Sequence, residues 1–203
     1  DSLPPTFADF LIGHVSSKVA QKTEQSIWNG AAATAGEFGG FTELLTADGD
    51  VTDVGAVGGG VTSANVIAQL GAVVDAIGST LYTSEDMFIY VSQNVARAYV
   101  RALGGFATNI GAAGVNSDGT QWYTGGTLSF DGIKIAVANG LADNTMVAAE
   151  KSNLFFGTGL LSDQNEVKVI DMADIDGSQN VRIVMRFTAG VQYGIGSDIV
   201  LYS

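Results

Sequence analysis

Near residue 127 the apolar residues of this chain change period, and that change limits the available folds more than any other feature. Upstream they recur at intervals of three and four, the spacing of one helix face. Downstream they alternate, the spacing of a half-buried strand. A chain patterned this way places helices in its first half and a mainly antiparallel sheet in its second, an α+β architecture. Its 203 residues, 46% of them apolar, suffice for one sizeable core or two smaller interleaved lobes.

The helical half reads in three pieces. Pro4-Pro5-Thr6 sets up a start, with Thr6 as cap and Asp9 three residues on. Phe7, Phe10, Leu11, Val15, Val19 and Ile27 share one face and Ser16, Lys18, Gln21, Thr23 and Gln25 the other. This predicts a long amphipathic helix of about six turns, ending near Trp28-Asn29-Gly30. Residues 29–62 show no sustained period and read as a long loop with one short turn. Thr62 or Ser63 caps a second helix carrying Val66, Ile67, Leu70, Val73, Val74 and Ile77, with Gly78 as the residue after its C-cap. Ile67, Leu70 and Val74 are expected in the core. "MFIYVS" (87–92) is a short buried strand, and Ser92 caps a third helix with Val95, Tyr99, Val100 and Leu103 inward. Gly104-Gly105 stops it, and 104–126 reads as a second glycine-rich loop.

In the strand half, "TLSFDGIKIAVANG" reads as two strands around Asp131-Gly132, or one strand bulged there. "NEVKVIDM", "NVRIVMRFTAGVQYG" and "DIVLYS" supply further strands, and the Asp-Gly of "ADIDGSQN" marks a hairpin turn.

Composition excludes several chemistries. There are no cysteines, which removes disulfides, thiolate metal sites and Cys nucleophiles and weakly suits a reducing compartment. The one histidine, His14, lies in the first helix without a G-x-S-x-G elbow anywhere, so it reads as a surface or interface residue, not a base. "DGDVTD" (48–53) opens like a calcium loop, but Asp53 stands where glycine is needed and Gly59 where glutamate is needed; from Asp174, Met185 occupies that last position. "VGGGVTS" lacks the Gly-Lys-Ser/Thr of a phosphate loop, and "GIGSDI" leads into a strand where a dinucleotide fingerprint leads into a helix. Gly190, Gly194 and Gly196 are read as relieving crowding at bends. No catalytic, cofactor-binding or metal residue is expected, and no enzyme activity, cofactor or small-molecule substrate. Net charge is −12 with nine scattered bases, so duplex DNA should bind more weakly than the ~10⁻⁴ to 10⁻⁶ M of ordinary non-specific contacts. No apolar run reaches the ~18 residues of a membrane span, and no membrane partner is expected. Basic residues on one strand face, Arg182 and Arg186, in an acidic chain suit subunit contacts.

Three stretches, "GGTLSFDGIKIAVANGL", "NLFFGTGLLSDQNEVKVIDM" and "NVRIVMRFTAGVQYGIGSDIVLYS", resemble the closing part of tailed-phage major capsid proteins of the Hong Kong ninety-seven-like fold. Gly125 to Ile135 matches that family's strand following the middle domain, and Arg182 and Arg186 its R-x-x-x-R spacing. "FADFLIGHVSSKVAQKTEQSIWNG" is similar to the family's spine helix, and "VTSANVIAQLGAVVDAI" with "FIYVSQNVARAYVRAL" to the helices and strand around capsomer centres. The resemblance implies a capsid-type fold with antiparallel sheets and interleaved peripheral and axial domains. The expected segments are 1–60 (peripheral: spine helix and loop), 61–126 (axial), 127–175 (peripheral strands) and 176–203 (closing strands, axial). It implies a virion protein that tiles an icosahedral shell around phage DNA, assembled in the host cytoplasm. Its partners would be its own copies, with scaffolding or protease proteins during assembly. The family's N-terminal arm and extended hairpin have no counterpart before Pro5, so residues 1–203 by themselves are expected to stay a monomer or small oligomer. An encapsulin-type nanocompartment shell is the near alternative; a glycine-rich adhesin or carbohydrate-binding module is the distant one.

Overall fold

A computed structural model describes residues 5–103, 128–159, 167–177, 180–185 and 188–203. The expected loop at 104–126 and the Arg186 position lie outside them.

Helix α1 spans Pro5–Asn29, as its periodicity predicts. It begins at Pro5, whose missing N–H and fixed φ suit a first helical position, so Thr6 lies in the first turn and not at the cap. Helix α2 (Phe41–Ala47) falls in the stretch read as loop. Its anchors are Phe41 and Leu45, four apart and both buried. Strand β1 (Thr52–Asp53) follows, then α3 (Val66–Asp75), β2 (Met87–Val91) and α4 (Gln93–Leu103). The α3 cap differs from expectation: Asn65 is the N-cap residue, and its Oδ1 accepts from the Thr62 amide at 2.7 Å while its Nδ2 donates to Gly60 O at 3.0 Å. Gly78 stands two residues past the C-cap Ala76 and has no left-handed φ. Ser92 does precede α4, fully buried, but its hydroxyl donates to Asn94 Oδ1 at 2.7 Å.

Strands β3 (Ser129–Phe130) and β4 (Ile133–Val137) form a tight hairpin, which settles the Asp131-Gly132 reading for two strands. Asp131 (φ 50°) and Gly132 (φ 82°) both take the left-handed conformation that a two-residue hairpin turn matched to strand twist requires. Strand β5 (Met146–Glu150) and, after a single 3₁₀ turn, β6 (Leu154–Thr158) were not evident from the sequence. Then come β7 (Val167–Asp171), α5 (Ala173–Asp176), β8 (Val181–Met185), β9 (Ala189–Tyr193) and β10 (Val200–Tyr202). The "ADIDG" stretch is a one-turn helix closed by Gly177 at φ 73°, not a two-residue turn; β7 and β8 still pair antiparallel across it.

Six strands form one sheet in the order β1-β10-β5-β2-β4-β3, with β1–β10 and β2–β4 parallel and the other neighbours antiparallel. β6–β9 and β7–β8 are separate two-stranded antiparallel ribbons. The large sheet is a middle layer, because alternate residues of its strands enter different cores. Met87, Ile89 and Val91 of β2, Met146 and Ala148 of β5, and Val200 and Tyr202 of β10 pack with Val66, Leu70, Val73, Val95 and Tyr99 of α3 and α4. Val147 and Ala149 of β5 and Leu201 of β10 pack with Trp28, Phe41 and Leu45 on the other side. The Trp28 ring lies between Phe41 (centroids 5.3 Å) and Tyr90 (5.1 Å), fixing the end of α1 to both α2 and the sheet. The same helix end crosses the 138–142 turn so closely that a Cβ on Gly140 would collide with the Glu24 carbonyl. Each of the four segments 1–60, 61–126, 127–175 and 176–203 contributes at least one strand to this sheet.

Candidate functional site

The strongest candidate surface is what the three layers leave uncovered. The first half of α1 is poorly covered from Asp9 onward: Phe10 is 68% exposed, and Leu11, Ile12, Val15 and Val19 are only half-buried. His14 is exposed there and stacks on Phe10, with ring centroids 6.3 Å apart. The two ribbons are the second uncovered part. In β6, Phe155 and Phe156 are 55% and 49% exposed, and consecutive strand residues point to opposite faces, so each face presents an aromatic ring. Opposite them in β9 stand Gln192 and Val191. In the second ribbon Val169 is exposed, and Ile175 in the connecting α5 is more so. A two-stranded ribbon is marginal in water without something packed on it. Exposed aromatic rings on both faces of so thin a ribbon suit contact with a further surface.

The base of the β6–β9 ribbon is fixed by polar contacts that sequence reasoning did not anticipate. Asn153, buried at the start of β6, donates through Nδ2 to Ile195 O (2.8 Å), and its Oδ1 accepts from the amides of Gly194 (3.0 Å) and Ile195 (2.8 Å). Tyr193, the last residue of β9, donates its hydroxyl to Asp48 Oδ2 at 2.6 Å. The bond to Asp48, desolvation and the charges of Asp48 and Asp50 push that phenol up to about 12. In return the Tyr193 bond and the Asp50 amide hold the Asp48 carboxyl below its ordinary value. Lys22 of α1 bridges to Glu37 at 2.6 Å, and that bond, with a second from the Ala31 amide, lowers the Glu37 carboxyl.

Asp48, first residue of the calcium-like stretch, thus spends its oxygens on Tyr193 and on the Asp50 amide (3.0 Å), as an ordinary turn residue does. Among the described residues no group of three or more His, Asp or Glu side chains is disposed to hold a metal ion, and no helix is long and apolar enough to cross a membrane. Side chains at Asp174 and Asp176 lie outside the described set. Gly194 and Gly196 face close neighbours, Asn153 and Asp48, as the crowding argument expects; Gly190 faces open space. Arg182 is exposed on β8.

A further, partly buried polar cluster joins the Val61 and Asn144 loops to the first turn of α4. Asn144, held at φ 66°, accepts through Oδ1 from the Val61 amide (2.7 Å) and Asn94 Nδ2 (2.8 Å), while its own amide donates to Asn94 Oδ1 (3.0 Å). Every partner is polar and uncharged, and its role is to fix loops.

No protein-family model matches the sequence, and no curated protein matches it. Solved structures match by fold. The satellite phage P4 procapsid, in a structure that includes the size-determination protein, aligns with TM-score 0.61 and 9% identity over 97% of this chain and 66% of that one. The capsid of a native GTA particle aligns with TM-score 0.59 and 12% identity over 96% of this chain and 64% of that one. A virus-like particle from Pyrococcus furiosus aligns with TM-score 0.50 and 10% identity over 90% and 63%. The chain spans between about half and two thirds of the length of the structures it matches. Identities this low leave the fold as the shared property, and it is the fold of phage capsid proteins.

Proposed function

We propose that the chain is a shell-forming structural protein: the major capsid subunit of a tailed phage, tiling an icosahedral shell around packaged DNA in the host cytoplasm, with no catalytic role. The observation that carries this reading is the capsid-type fold, shared over nearly the whole chain with particle-forming proteins. The uncovered surface supports it. A subunit whose ribbons and helix end are apolar and solvent-facing gains by meeting copies of itself. On this reading residues 1–60 and 127–175 belong to the peripheral domain and residues 61–126 and 176–203 to the axial one. Scaffolding or protease partners would act during assembly. The acidic balance suits a lining that does not hold DNA tightly. The Pyrococcus particle, which has the same fold, keeps a nanocompartment shell as the second reading; nucleic acid inside purified particles separates the two. Nothing in the layered body favours an adhesin or a carbohydrate-binding module.

The test is a ribbon variant. Phe155→Asp with Phe156→Asp, in the full-length protein, should leave circular dichroism and melting close to wild type, since both rings are about half exposed, and should abolish particles. Normal particles from a folded double variant would refute the placement of subunit contacts on this ribbon.

A further inference from the structure

The sequence contains two Asn-Gly pairs, Asn29-Gly30 and Asn139-Gly140. In such a pair the amide nitrogen of the glycine can attack the asparagine Cγ, because no side chain blocks the approach. An N–Cγ bond forms, the Cγ–Nδ2 bond breaks, and ammonia leaves with the glycine amide proton, giving a cyclic succinimide. Water then opens the ring at either carbonyl to aspartate or isoaspartate. Base promotes the first step by removing the amide proton, and no oxidant or reductant takes part.

The fold treats the two pairs differently. Asn29 ends α1, and the Gly30 amide is engaged, donating to Ser26 O at 3.0 Å. Its nitrogen is a nucleophile only after that bond opens. Asn139 lies in the turn after β4, its side chain exposed, and neither its carboxamide nor the Gly140 amide has a hydrogen-bond partner among the described residues. Asn139 also lines a groove with Lys18, Lys22, Glu24 and Gln25 of α1, so conversion would add a carboxylate to a groove that already holds two lysines and a glutamate.

We infer that Asn139 is a site of spontaneous deamidation in the folded protein and that Asn29, also followed by glycine, is protected by the end of α1. This stands independently of the shell reading. A hydrogen bond with a net value of ~1 kcal/mol corresponds to about a fivefold difference in the open population, which is the ratio of rates expected. The experiment is to hold the full-length protein at mildly alkaline pH and follow both peptides by mass spectrometry, with enzymatic isoaspartate quantitation, in buffer and in denaturant. The inference predicts about fivefold faster conversion at Asn139 in buffer, near-equal rates in denaturant, and loss of the fast phase in Asn139→Gln. Equal rates in buffer, faster conversion at Asn29, or a difference that persists in denaturant would each overturn it.

Discussion

Two side chains, Asn153 and Tyr193, fix the base of the β6–β9 ribbon, and each gives a separable prediction. Asn153→Ala strands the Ile195 amide and carbonyl and removes one of two acceptors at the Gly194 amide, whose bond to Asn153 O remains. Chemical denaturation should show a loss of ~1–3 kcal/mol, the usual cost of unpaired polar groups; a neutral result would mean that water replaces the carboxamide. Tyr193 predicts a pH dependence. Its folded pKa, about 12, lies above the ~10 of a free tyrosine, so folding favours the neutral phenol. That contribution is complete below pH ~10 and is lost as pH rises through the folded value. Asp48, shifted down, contributes above its ordinary pKa and loses that contribution as pH falls through the lowered one. The stability gap between wild type and Tyr193→Phe should therefore be constant near neutrality and close between about pH 10 and 12. Parallel curves throughout that window would contradict the assignment.

At the scale of elements, α3 shows what spacing reveals and what it leaves out. Val66, Leu70, Val73 and Val74 are buried against the sheet, but Ile67, expected beside them, is 50% exposed because only one side of this helix is covered. Leu70→Ala should cost ~2–5 kcal/mol and Ile67→Ala under ~1 kcal/mol, read as shifts in denaturation midpoint. Equal losses would place the helix face wrongly. Long periodic stretches such as α1, α3 and α4, and the Asp131-Gly132 hairpin, were legible because local sequence alone decides them. Helix α2 was not, since its support comes from two residues, Phe41 and Leu45, meeting Trp28 across a glycine-rich stretch. Strand β5 was hidden for a related reason. Met146 to Ala149 is buried on both faces, so no alternation appears, and Ala148-Ala149 has little strand preference of its own. The β6–β9 pairing joins residues far apart in the chain, which no local pattern encodes. Asn153 and the Asp48–Tyr193 bond were missed on the same ground: each depends on which loops the fold brings together.

For the whole molecule, the charge of −12, the poorly covered first half of α1 and the two thin ribbons belong to one design. The layered body supplies a core on both sides of its sheet and is complete by itself. On the proposed reading the ribbons and the helix tip, exposed among the described residues, gain partners in an assembly. Association must offset ~4–15 kcal/mol of lost translational and rotational freedom, so contacts repeated around each subunit are needed before a lattice forms. The most direct measurement is electron microscopy of the full-length product purified from an expressing host. The account predicts closed, uniform shells whose subunit contacts include the Phe155–Phe156 ribbon. A full-length product that is folded yet stays monomeric at every concentration and salt condition, with no particles in the host, would contradict it.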